Sequence, residues 1–454
     1  MGKYFGTDGV RGLANEQLTG ELAFELGRAA AAVLLEHQHG KRPVVFIGRD
    51  TRRSGTMLEA ALAAGFCSAG VDVWRLGVLP TPAVAWLTAN KGGSVGAMIS
   101  ASHNPSPDNG IKFFSGTGFK LPDELEAEIE SLLDSEDDQL PRPTGSALGT
   151  ITDHFDLVEA YQDHVKGLAS NLSGIRIVID AANGAASAIA PQVLRELGAE
   201  VHVLHDAPDG DNINRDCGST HLASLSETVV GGSYDLGLAF DGDADRLLTI
   251  DEQGRLVDGD HLMLICLEHA IQEGRLRHPA VVATVMSNLG FEEAIGRLGG
   301  EFVRAKVGDR YVLEEMQKRE IRLGGEQSGH VIFLDDNTTG DGLITALRVL
   351  SAYKAAGKPF SELAAHMTVY PQVLKNVRVA STQGWQENRV IQEALEEAER
   401  ELVHAGRLLV RASGTEPLIR VMVEGKERDQ IHAIADRLVT LITAELKAAA
   451  PLVK

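Results

Sequence analysis

The stretch from Tyr234 to Arg246, YDLGLAFDGDADR, constrains the fold most strongly, because an apolar run ends in three aspartates, Asp241, Asp243 and Asp245. In an extended chain, residues two apart project the same way, so the carboxylates converge with only Gly242 and Ala244 between them. Three like charges that close repel unless a cation sits among them. Oxygen-only donors suit a hard cation, and three carboxylates with room for water and a phosphate oxygen suit Mg²⁺ better than a full Ca²⁺ cage. Asp241, Asp243, Asp245, Leu248 and Glu252 do fall at positions 1, 3, 5, 8 and 12 of an EF-hand loop. Position 6 of that loop requires glycine, however, and here it is Arg246; the preceding residues also alternate like a strand rather than a helix. A solvated acidic turn is the plain alternative.

A second apolar run, Val95 to Ile99, feeds a loop rich in turn formers, SASHNP (100–105) followed by SPDNG (106–110). Open α/β sheets place ligands in the loops beyond the carboxyl ends of their strands, which makes Ser102 a candidate nucleophile. Serine is weak without activation, and adjacent side chains diverge, so His103 is expected to be poorly placed to help it. Read alone, the segment is equally an ordinary surface turn.

Around these segments the pattern is one of strands alternating with helices, which predicts doubly wound sheets. The first unit, 1–152, has helices at 18–36 and 54–69, strands at 44–48 and 71–76, and an acidic, proline-bearing connection at 134–145. The second, 153–256, opens with a helix at 153–168 and a strand at 175–180; the turn at Asn183 reads as ordinary βα packing. The third, 257–368, has a helix at 259–273 and a strand at 280–285. The last, 369–454, differs in kind, with a strand at 372–380, an amphipathic helix at 387–404, a strand pair at 407–411 and 418–424, and a closing helix at 428–448. The fold class is thus α/β, three tandem similar mixed α/β domains plus a smaller C-terminal α+β domain, arranged around a central cleft. The period is long, and the likeness of the three units suggests duplication.

SASHNP, DGDADR (241–246), GEQSGH (325–330) and RASGTEPLIR (411–420) occur in the order and spacing of the α-D-phosphohexomutases. The chain resembles that family over nearly its whole length. FGTDGVRG (5–12) and VGDRYV (307–312) resemble its branch acting on glucosamine phosphates, which implies interconversion of glucosamine 6-phosphate and glucosamine 1-phosphate on the way to UDP-N-acetylglucosamine. Neighbouring mutases of mannose or glucose phosphates, and a metal-dependent phosphatase with a serine nucleophile, are the alternatives.

The resemblance implies that Ser102 carries the phosphoryl group, as an ester less prone to hydrolysis than an acyl phosphate. It also implies that Mg²⁺ is held by Asp241, Asp243, Asp245 and an oxygen on Ser102, that glucosamine or glucose 1,6-bisphosphate serves as intermediate and activator, and that the enzyme forms a homodimer. His103, Lys112 and Arg11 are candidates for acid and base work beside the serine, and the choice among them stays open. Arg246 is expected to face the same phosphate. Glu326 and Ser328 can read adjacent sugar hydroxyls, with His330 on the far side of the ring. Arg411, Ser413, Gly414, Thr415 and Arg420 offer an anchor for the non-reacting phosphate. With one anchor and one serine, the bisphosphate must turn end for end without escaping, which favours a deep cleft under a hinged last domain.

Composition narrows the partners. The net charge of −21 argues against nucleic acid and anionic membranes, which reward basic surfaces. An anionic sugar phosphate must then be captured by local cations, which is feasible because charges are screened over roughly 8 Å at physiological salt. Cys67, Cys217 and Cys266 are far apart with no paired spacing, so the cysteine pattern indicates neither a disulfide framework nor a zinc site. The N-terminus lacks the apolar core of a signal peptide, and the expected location is the cytoplasm.

Overall fold

Each of the three α/β segments builds the same four-strand arrangement. In the computed structural model, which describes the chain apart from residues 1, 7, 36–41, 136, 139, 170, 277–278, 404, 413–416 and 447–454, a first strand lies between a second and a third, all parallel, and an antiparallel fourth strand flanks the third. The strands are Val44–Arg49, Asp72–Val78, Val95–Ile99 and Asp108–Ser115 in the first sheet. Arg176–Asp180, Glu200–Leu204, Leu236–Phe240 and Leu247–Asp251 repeat the pattern, as do Ala280–Thr284, Glu301–Ala305, Leu323–Gly325 and Val331–Phe333. The third strand is buried throughout in each sheet, as expected of strands covered on both faces. The duplication suggested by the sequence is therefore visible as shared topology.

The connection from third to fourth strand is the same structural position in all three sheets. It carries Ser102 in the first, the three aspartates in the second, and Glu326 and Ser328 in the third.

The chain divides into two compact units, one of Met1–Thr284 and Glu301–Ala365, the other of Val285–Gly300 and His366–Lys454. One apolar cluster runs through the first unit, from Phe46 and Leu87 through Ile177 and Phe240 to Leu347 and Phe360, so helices of the third segment pack on a core shared by the first two sheets, while the third sheet's strands bury Val282, Val303 and Ile332 in a cluster of their own. The helix Gly342–Ala356 that helps fill this core starts at Asp341, whose Oδ1 accepts from the backbone N–H groups of Leu343 and Ile344, both at 3.0 Å. That satisfies two donors that a helix start otherwise leaves open.

In the second unit, strands Gln372–Arg378, Leu418–Gly425 and Gly406–Ala412 form an antiparallel sheet in that order, packed with helices Arg389–Glu401 and Arg428–Glu445 around Val377, Ile391, Ile419 and Leu438. The helix Leu289–Arg297, between the first two strands of the third sheet in sequence, belongs to this unit. Leu289 N–H donates to Glu424 Oε1 at 2.9 Å, and the Asn288 side chain exchanges hydrogen bonds with the Tyr370 backbone.

One expected helix starts late. Residues Ile151–Asp153 form an edge strand parallel to Asp72–Val78, a short 3₁₀ turn follows, and the helix runs only over Val158–Lys166. Side chains decide this: Arg75 Nε donates to Asp153 Oδ1 at 2.7 Å, and His154 stacks on Trp74 with ring centroids 3.8 Å apart.

Candidate active site

Ser102 and the aspartates meet. The Ser102 hydroxyl donates to Asp241 Oδ2 at 2.5 Å, and Ser102, Asp241 and Asp243 are almost wholly buried. Ser102 has φ +52°, in the left-handed region, a conformation that serine adopts only where its surroundings enforce it. This turn of the backbone brings His103 Nδ1 to 3.4 Å from Ser102 Oγ. The expectation that the two side chains diverge is therefore corrected, since it holds for extended chain and not for this geometry.

The two loops approach so closely that a side chain would not fit between them. A Cβ on Gly242 would lie 2.6 Å from the Ser102 carbonyl oxygen, which explains the glycine between two metal-type ligands.

The aspartates present one ligand oxygen each within 4.8 Å of one another. Asp243 Oδ1 and Asp245 Oδ1 are buried and have no hydrogen-bond partner among the described residues. Burial, reinforced by Asp245 and Asp243, pushes the Asp241 carboxyl well above its ordinary range. Burial also opposes ionisation of Asp245, but His330, Lys112 and Arg246 outweigh it and hold that carboxyl low. Opposed shifts and orphaned oxygens within one all-oxygen trio are what a site for a hard divalent cation looks like before the cation's charge is added.

Lys112 is buried, with Nζ at 3.1 Å from both Asp243 and Asp8 and 3.8 Å from Asp245. Burial disfavours its charge, yet the carboxylates more than compensate and raise its pKa, so the ammonium stays charged. His103 goes the other way: burial, with Arg246 and Arg11 nearby, brings it down to about 4. At neutral pH it is an uncharged imidazole able to accept a proton. Arg11 pairs with Asp8, and Arg246 Nε lies 3.7 Å from Asp245 Oδ1 without a hydrogen bond.

The third-to-fourth strand connection of the third sheet abuts the same cluster. His330 Nδ1 is 3.5 Å from Asp245 Oδ2, and its Nε2 is 3.8 Å from Asp309 Oδ2. Burial opposes a charge on His330, but Asp245 and Asp309 raise its pKa overall. Glu326 Oε1 accepts from Gly308 N–H at 3.1 Å, and the Ser328 hydroxyl has no hydrogen-bond partner among the described residues.

Several residues here were not singled out from sequence. Asp8 and Asp309 both pair with Lys120, tying the first and third sheets' loops together. Both lie inside motifs already noted, FGTDGVRG and VGDRYV, which is where the signal was. Thr81 donates to Asp243 Oδ2 at 2.6 Å. Arg52 and Asp50, both fully buried, form an ion pair at 2.9 Å beneath the serine loop; nothing in their local sequence marks them.

Arg411 and Arg420 lie in the second unit, directly opposite one another on adjacent antiparallel strands. Like charges so placed repel, and burial, with Arg420 beside it, lowers the Arg411 pKa. Arg420 Nε is buried and has no hydrogen-bond partner among the described residues. An anion would relieve both conditions. Ser413, Gly414 and Thr415 lie outside the described residues.

Among the described residues, no helix is long and apolar enough to cross a membrane. Models of phosphoglucomutase/phosphomannomutase α/β/α domains I, II and III and of the C-terminal domain match residues 2–140, 159–254, 258–370 and 374–441. The chain is 54% identical to phosphoglucosamine mutase of Desulforamulus reducens over 443 residues, covering 97% of this chain and 99% of that one. It is 52% identical to phosphoglucosamine mutase of Bacillus subtilis over 447 residues, covering 98% and 99%. Among solved structures, a phosphoglucomutase/phosphomannomutase family protein of Burkholderia thailandensis shares the fold with a TM-score of 0.81 at 24% identity, over 98% of this chain and 99% of that one. Aspergillus fumigatus N-acetylphosphoglucosamine mutase, solved with GlcNAc-6P and magnesium, does so with a TM-score of 0.70 at 18% identity, over 98% and 96%. The repeated sheets, the buried serine on an acidic trio and these likenesses have one common explanation: the chain belongs to the phosphoglucomutase/phosphomannomutase family of α-D-phosphohexomutases.

Proposed function

We propose that the chain interconverts glucosamine 6-phosphate and glucosamine 1-phosphate in the cytoplasm, through a phosphorylated Ser102 and a glucosamine 1,6-bisphosphate intermediate. The observation that carries the chemistry is the contact of Ser102 Oγ with Asp241 inside a buried acidic trio that has orphaned oxygens. The choice of amino sugar rests on relatives more than half identical over nearly the whole chain.

In the forward half-reaction a sugar hydroxyl attacks phosphorus in line, its proton leaves to a base, the Ser102 Oγ–P bond breaks and Oγ takes up a proton. The second half-reaction reverses these events at the other end of the sugar. Mg²⁺ bound by Asp241, Asp243 and Asp245 would neutralise charge on the transferring group. Lys112, charged and buried, adds a fixed cation beside the trio, and neutral His103 can accept the Ser102 proton when Oγ attacks in the second half-reaction and return it to Oγ in the first. His330 on the third sheet's loop would serve the sugar side. Glu326 and Ser328 would read the ring hydroxyls, Ser328 with its hydroxyl unclaimed by the described residues. Arg246 would meet the transferring phosphate, and Arg411 with Arg420 the idle one.

Phosphorus NMR of the protein with Mg²⁺, glucosamine 6-phosphate and a trace of sugar 1,6-bisphosphate tests the reading. A growing 1-phosphate signal without inorganic phosphate is the expected result. Inorganic phosphate instead would make the chain a phosphatase, and turnover only with mannose or glucose phosphates would move the specificity.

Glu326→Ala is expected to raise KM for glucosamine 6-phosphate about tenfold or more and to blur its preference over glucose 6-phosphate, as befits the loss of a half-buried hydrogen-bonding group. Competition assays with the two sugars measure this. Unchanged discrimination would take Glu326 out of sugar recognition.

A further inference from the structure

A second cluster of ligand-type side chains lies in the second sheet, outside the residues assigned to the mutase reaction. Asp180 ends the strand Arg176–Asp180, His205 follows the neighbouring strand Glu200–Leu204, and Cys217 opens the turn Gly218–Thr220. One carboxylate oxygen, one imidazole nitrogen and the thiol sulfur all lie within 4.8 Å of one another. Asp180 and Cys217 are fully buried, while the His205 side chain is 31% exposed.

Two of the polar atoms facing this point, Asp180 Oδ2 and His205 Nδ1, form no hydrogen bond among the described residues. Asp180 Oδ1 accepts from Ala182 N–H at 3.0 Å, but Oδ2 has no hydrogen-bond partner. His205 Nδ1 is 3.1 Å from Oδ2, yet the two are not aligned for a hydrogen bond and Nδ1 too has no partner. Cys217 Sγ meets Asn183 Nδ2 at a long 3.9 Å and the backbone of Asn214. Orphaned buried polar atoms in a folded protein call for an explanation such as a bound ion.

We propose that Asp180, His205 and Cys217 bind a divalent cation of the zinc class. The donor set selects the metal: imidazole and thiolate favour zinc and its first-row neighbours, whereas magnesium prefers oxygen alone. Three protein ligands leave a fourth position for water, reached from the exposed side of His205. The cysteine spacing could not show this, because the ligands come from three segments that only the parallel pairing of two strands brings together.

The site bears on the serine loop. Asn214, three residues before Cys217, donates through Nδ2 to the Ser102 carbonyl at 2.8 Å and to the Asn104 carbonyl at 3.0 Å. An ion joining Cys217 to two strand ends would hold this segment in place.

Cobalt substitution tests the site without reference to turnover. The reduced protein is titrated with Co²⁺ in excess Mg²⁺, and a thiolate-to-cobalt charge-transfer band saturating at one ion per chain is expected. The band should persist in Asp241→Asn, which disables the acidic trio, and vanish in Cys217→Ser. Should Cys217→Ser fail to fold by circular dichroism, His205→Gln, altered at a half-exposed position, is expected to weaken cobalt binding at least about tenfold, since even outer-shell changes cost that much. No band in the wild type, a band unchanged in a folded Cys217→Ser, or unchanged affinity in His205→Gln would each overturn the proposal.

Discussion

Alanine at position 102 is expected to abolish mutase turnover, by at least about three orders of magnitude, as removal of a nucleophile does, while the fold survives. Among the described residues the Ser102 hydroxyl hydrogen-bonds to Asp241 and lies 3.4 Å from His103 Nδ1, and a hydroxyl is small, so its loss creates no large cavity. The backbone that sets the loop is held by other groups: Ser102 N–H donates to Ser100 Oγ at 2.9 Å, and the Ser102 carbonyl accepts from Arg52 and Asn214. Alanine also tolerates the positive φ about as well as serine does. What remains is the acidic trio and the third sheet's loop, with no hydroxyl at position 102 to accept the phosphoryl group. The check is phosphorus NMR in the presence of sugar 1,6-bisphosphate, alongside phosphate incorporation into the protein. Wild type should take up phosphate and Ser102→Ala should not. A variant that keeps substantial turnover would remove Ser102 from its role, and one that releases inorganic phosphate would show that water attacks without it.

The legible part of this molecule is the part encoded locally. Asp241, Asp243 and Asp245 announce themselves because alternate residues leaving a strand must converge. Ser102 stands in a loop after an apolar run, and the topology then shows why that position matters, since the same third-to-fourth strand connection bears the key residues in all three sheets. What stayed hidden depends on distant partners. Lys120 becomes a tie between Asp8 and Asp309 only once the first and third sheets are built. The His103 placement required a φ of +52° at Ser102, which no propensity predicts for serine. The membership of Leu289–Arg297 in the C-terminal unit is set by Glu424, 135 positions away in the chain. The conflict of Arg411 with Arg420 needed the strand register to reveal it.

Arg52→Met is expected to destabilise the first unit by about 3–5 kcal/mol, the usual cost of stranding a buried charge, and to lower turnover about a hundredfold. Arg52 is among the largest fully buried side chains, and Asp50 beside it is equally inaccessible. Its guanidinium donates to Asp50 Oδ2 at 2.9 Å and to the carbonyls of Ser102 and Asn104 at 2.9 Å, of Pro105 at 2.5 Å and of Asp108 at 3.0 Å. One side chain thus gathers the whole serine loop onto the end of the first strand. Burial already raises the Asp50 pKa, with Arg52 the main opposing influence, so without the arginine the acid becomes neutral or the site admits water. Asn214 still reaches the Ser102 and Asn104 carbonyls, but Pro105 and Asp108 lose this donor, and a shift of about 1 Å in a reacting group is enough for the expected hundredfold loss. Urea denaturation and steady-state rates separate the two effects. The double variant Asp50→Leu/Arg52→Met removes the stranded charge and should recover much of the stability, because paired removal of a buried ion pair is often neutral. Its turnover should stay low, since the loop carbonyls remain unheld. Recovery of both together would mean that Arg52 acts only through the charge of Asp50, whereas recovery of stability alone assigns it to positioning the serine.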